Sequence, residues 1–89
     1  MMAIDWKYKI TAINPCSGNT HNETDSVLFL AKDRAVPALL RAYRAECEQL
    51  GVNPAHLEAI RLLIGRVEAY QRDFAAKVPD TDLPCEIRR

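Results

Sequence analysis

The sequence predicts an α+β fold: a single small domain spanning residues 1–89, in which a β-hairpin precedes an antiparallel helix pair (ββαα). Three observations carry this expectation. Apolar and polar side chains alternate over residues 6–12, apolar residues then recur every three or four positions from Asp33 onward, and the helical region is broken once, at "LGVNP".

The first strand is expected where Trp6, Tyr8, Ile10 and Ala12 share one face and Lys7, Lys9 and Thr11 the other. A polar stretch follows, "NPCSGNTHNETDS" from Asn14 to Ser26, rich in the Pro, Gly, Asn and Ser that turns select. It reads as the connection to a second strand at "SVLFLA". There Val27, Phe29 and Ala31 fall on one side and Leu28 and Leu30 on the other, so both faces require cover.

The first helix follows from Val36, Leu39, Leu40, Tyr43, Cys47 and Leu50, with Pro37 near its start and Gly51 just past its end. Asn53 is suited to cap a second helix and Pro54 to occupy its first position. That helix is expected to run to about Lys77, before Val78 and Pro79. Its main apolar face is Leu57, Ile60, Leu63, Ile64, Val67, Tyr70 and Phe74. Leu62 lies outside this stripe and widens it, while Gly65 costs about 1 kcal/mol in mid-helix unless close packing requires it. Arg44 with Glu48, and Glu68 with Arg72, are spaced for ion pairs along a solvated face. Residues 80–89 read as a less ordered tail, although Leu83, Cys85 and Ile87 alternate and allow a short C-terminal edge strand beside Pro84.

Composition narrows the function classes. With 89 residues, 27% of them charged, and a formal net charge of zero, the chain has no long-range field to draw it onto phosphate backbones or anionic lipid. Nucleic acid and membrane are therefore disfavoured partners. No apolar run reaches the roughly 18 residues of a membrane span, and "MMAIDWKYK" does not resemble a signal peptide. Three irregularly spaced cysteines then suit a reducing, cytoplasmic setting.

The polar stretch is the most chemical part of the sequence. Cys16, His21 and Asp25 have the residue types of a nucleophile, a base and an orienting group, but nothing supplies an oxyanion site. Cys16, His21, Cys85 and His56 are suitable zinc ligands by type, without the paired spacing of structural sites. The expectation is therefore no catalysis, no metal and no cofactor. "AECEQLGVNPAHLEAIRLLI" resembles a helix-turn-helix, yet His56, Glu58 and Arg61 at the start of its second helix carry little positive charge.

With the helices on one face of the hairpin, Leu28, Leu30, Leu62 and Tyr70 remain as anchors of an association surface. The functional expectation is a non-enzymatic, self-associating protein, a homodimer or higher oligomer, that also accepts a different protein as partner. Small size, neutral charge and a large share of surface given to association are similar in kind to phage or prophage accessory proteins that bind or inhibit a host protein. The alternative is a protein that sequesters a small anionic ligand at a subunit interface through Asn19, His21 and Arg61. A helix-turn-helix DNA-binding regulator is the second alternative.

Overall fold

A computed structural model of the chain describes residues 2–79. The element order is β1 (Thr11–Ile13), β2 (Thr20–Asn22), α1 (Val36–Gln49) and α2 (Pro54–Asp73), which is the ββαα order of the predicted α+β class. The expected C-terminal edge strand and the tail at 80–89 lie outside the described residues. Two compact units divide the chain, residues 2–28 and Phe29–Pro79.

In the first unit the hairpin forms at a different place from the one expected. β1 and β2 pair antiparallel with Ile13 opposite Thr20 and Thr11 opposite Asn22, so the polar stretch itself supplies the second strand. Residues 27–31 form no strand, and all six residues of the ladder are exposed. The physical reason lies in where the backbone N–H groups go. Asp5, which is buried, accepts from Lys7 N and Tyr8 N through Oδ1 and from Leu28 N through Oδ2, each at 2.8 Å. Glu23 accepts from Ile10 N at 2.9 Å through its side chain and from Ile4 N and Asp5 N through its carbonyl. Carboxylates thus take the bonds that an extended ladder would have used.

The second unit is built around the helix pair. Asp33 opens α1, its carboxylate accepting from Ala35 N at 2.8 Å and its carbonyl from Val36 N at 3.0 Å. The other end is a Schellman closure: Gly51 N donates to Glu48 O and Val52 N to Cys47 O, with Gly51 at φ +73° and Val52 packed beside Cys47. Asn53 caps α2 by accepting from Ala55 N at 2.8 Å, and Pro54 is its first residue.

α2 ends at Asp73, four residues before the expected Lys77, because the chain beyond it is needed elsewhere. Lys77 N donates to Lys32 O at 2.7 Å and Arg34 N to Lys77 O at 3.0 Å, forming a parallel bridge between Asp33 and Lys77. Gln71 reinforces this strap, its Nε2 donating to Ala31 O and Asp33 O at 2.9 and 2.7 Å.

The core is the seam between the helices: Cys47, Ile60 and Ile64, with Leu40, Val52 and Leu57 packed around them. Val36 and Val67 are also buried, but among the described residues no side chain is fully removed from water. Leu63, Tyr70 and Phe74, expected on the core face, are exposed, since one neighbouring helix covers only a narrow arc.

Glycine substitutions separate these local requirements. Gly65→Ala places its Cβ in open space and should stabilise the protein by about 1 kcal/mol, whereas Gly51→Ala must hold a left-handed conformation and should cost about 1 kcal/mol. Urea denaturation of the two variants checks the opposite signs.

Candidate functional site

Three surfaces could carry function: the polar hairpin of the first unit and the two sides of the helix pair in the second.

The hairpin consumes most of its polar groups in its own construction. Asn14 Oδ1 accepts from Cys16 N and Ser17 N, Asn14 O from Gly18 N, and Asn19 O from Asn14 N, with Gly18 at φ +77°. A second turn follows, in which Asn22 Oδ1 accepts from Thr24 and Asp25 Oδ1 from Asn22 N. Asn19, a candidate ligand-binding residue, therefore closes the turn through its main chain.

His21 projects from β2 and its ring Nδ1 donates to Asp25 Oδ2 at 2.8 Å, with both side chains about half exposed. The hydrogen bond from His21, aided by Ser26 Oγ and Asn22 N, brings the Asp25 carboxyl down to about 2. A base and its orienting carboxylate are thus present, but no hydrogen bond links the Cys16 thiol to His21 among the described residues. Nor do three His, Cys, Asp or Glu side chains gather there as a metal site requires.

Two further carboxyls in this unit are held low. Burial pushes Asp5 up, but the N–H groups of Leu28, Tyr8 and Lys7, helped by the Lys7 ammonium, outweigh it and leave the group below its ordinary value. Glu23 is lowered chiefly by Ile10 N and by its own N–H. These interactions are structural.

One side of the helix pair is polar. Arg41, Arg44, Arg61, Ile64, Gly65 and Glu68 line an open groove of about 470 Å³. Each arginine has an acid in its own chain: Arg41 with Glu68 at 2.7 Å, Arg44 with Glu48 at 3.6 Å, and Arg61 with Glu58. The expected Glu68–Arg72 pair gives way to the interhelical contact with Arg41, while Arg72 turns to Asp73. Arg61, the third candidate for anion recognition, is engaged by Glu58 through Nε at 3.0 Å. It lies in the second unit, whereas Asn19 and His21 belong to the first.

The other side is apolar and exposed. Leu39 and Tyr43 on α1 with Leu50 at its C-cap, and Leu63 and Tyr70 on α2 with Phe74 at its C-cap, share it, the first set at spacings of four and seven and the second at seven and four. The Tyr43 and His56 rings meet edge-on across the two helices at 6.3 Å. Tyr70 and Phe74 stack at 5.2 Å. Of the four anchors expected from sequence, Tyr70 lies on this side, Leu62 faces away from the seam, Leu28 is exposed in the first unit and Leu30 is half-buried. Tyr43, Leu39 and Leu63 were missed because their spacing equally suits a core stripe.

No protein-family model, curated protein or solved structure matches this chain. No helix among the described residues is long and apolar enough to cross a membrane.

Acid should loosen the first unit through its three lowered carboxyls. A group with a depressed folded pKa contributes stability above its unfolded value and loses it as pH falls through the folded one. For Asp25 that window runs from 3.8 down to about 2. Fluorescence of Trp6, the one tryptophan of the chain, should be constant from pH 8 to about 5 and change below about 4. Asp5→Ala, which leaves three backbone N–H groups without their acceptor, should cost on the order of 2–3 kcal/mol, measured by denaturant titration of the same fluorescence.

Proposed function

We propose that this protein acts without catalysis, by binding protein surfaces, and that it self-associates. The observation that carries the reading is the exposed apolar side of the helix pair. Tyr43 is 51% exposed and Phe74 78%, and Leu39, Leu63 and Tyr70 between them are each exposed by more than a third. An isolated exposed leucine needs no explanation, but a contiguous aromatic and aliphatic strip of this length marks an association surface.

The anion-sequestering and DNA-binding alternatives draw less support. Both need cationic groups available to phosphate or carboxylate. The arginines of the groove are each occupied by a glutamate of the same chain, Arg61 two turns into α2 included. The His21–Asp25 pair offers a hydrogen-bonded base, yet its surroundings are turn-forming groups already bonded to each other.

Sedimentation equilibrium from about 1 to 200 μM tests the proposal. The expected outcome is a rise in mass toward twice 10.1 kDa within this range. A mass of 10.1 kDa at every concentration overturns self-association.

A further inference from the structure

Resting on the reading above, we infer that the occupant of the apolar side of the helix pair is a second copy of the same side, joined about a two-fold axis so that α1 and α2 of each chain form a four-helix arrangement.

Three observations select this occupant. The first is area. Taking about 200 Å² for a fully exposed side chain of this size, Leu39, Tyr43, Leu50, Leu63, Tyr70 and Phe74 leave on the order of 600 Å² in water. Ala42, Ala59 and His56, exposed among them, bring the face close to the roughly 800 Å² that each partner gives to a stable interface. The second is the thinness of the seam beneath. A hairpin of helices whose buried cluster is Cys47, Ile60 and Ile64 gains a second buried layer when two such faces close on each other.

The third is charge. On the polar side every arginine is matched by an acid of its own chain, so that side is electrostatically complete. On the apolar side the flanking charges are Glu46 on α1 and Arg66 and Asp73 on α2. Glu46 and Arg66 take part in no ion pair among the described residues, while Asp73 is held by Arg72. With the two-fold axis parallel to the helices, α1 of each chain lies over α2 of the other, so that the edge carrying Glu46 runs along the edge carrying Arg66. The same symmetry makes the assembly close at two chains, leaving the Arg41, Arg44 and Arg61 groove outside it.

The test compares Leu63→Glu, Tyr70→Glu and, on the opposite side, Arg61→Gln by sedimentation equilibrium, with circular dichroism to follow helix content. Leu63→Glu and Tyr70→Glu should each weaken the dimer at least about 30-fold, and Arg61→Gln should leave it within about twofold. In the wild-type chain, dilution should shift the side-chain NMR signals of Leu39, Tyr43, Leu63 and Tyr70 and leave Arg61 unmoved, a measurement that needs no variant to fold. A dimer that survives both glutamate substitutions, or dilution shifts centred on Arg61, overturns this face while leaving self-association intact. A wild-type chain that is monomeric throughout overturns both.

Discussion

One buried seam, where Cys47 of α1 meets Ile60 and Ile64 of α2, is the constraint on which the second unit depends. Two helices can bury only the facing arc of each, and the rest of an apolar stripe stays in water unless a third layer arrives. The consequence is visible along α2. Ile60, Ile64 and Val67 are buried, while Leu63 and Tyr70, one step round the helix, are not. The apolar content of the sequence is sufficient for a bundle, but one copy of the helix pair encloses only a part of it. The proposed self-association draws on this geometry and on no recognisable motif.

The segments outside the seam are organised by a different device. Asp5, Glu23 and Gln71 each reach across the chain to backbone groups that neither helix nor ladder satisfies. A carboxylate with three N–H donors fixes the chain's path through residues 5–8 and 28 without any sheet, and a single amide ties the residues before α1 to the last turn of α2. Such bonds are directional and specific, and they expose the surrounding apolar side chains to water. Residues Val27, Leu28 and Phe29 are all at least two-fifths exposed for this reason.

What could be read in the sequence was whatever depends on neighbours a few residues away. Pro37, Gly51, Asn53 and Pro54 announce the helix termini because caps and left-handed closures are local chemistry. The strands were misplaced because alternation at Trp6 to Ala12 is compatible with a ladder, and the carboxylates that remove its N–H groups lie as many as 13 residues away, as Glu23 does from Ile10. The end of α2 and the partner of Glu68 were missed likewise: Lys32 and Arg41 compete from far along the chain. At the candidate surface, Tyr70 was legible as an apolar residue and Leu62 as an excess. Which of the apolar residues face outward depends on how many layers cover the helix, and that is a property of the fold.

The central claim is that the helix pair gains stability by covering its apolar side with another chain. Thermal unfolding, followed by helix ellipticity at protein concentrations spanning about two orders of magnitude, tests it directly, since a ligand that binds only the folded state raises the midpoint with its concentration. The account predicts a midpoint that climbs steadily with concentration. A midpoint that stays constant over the whole range would contradict it.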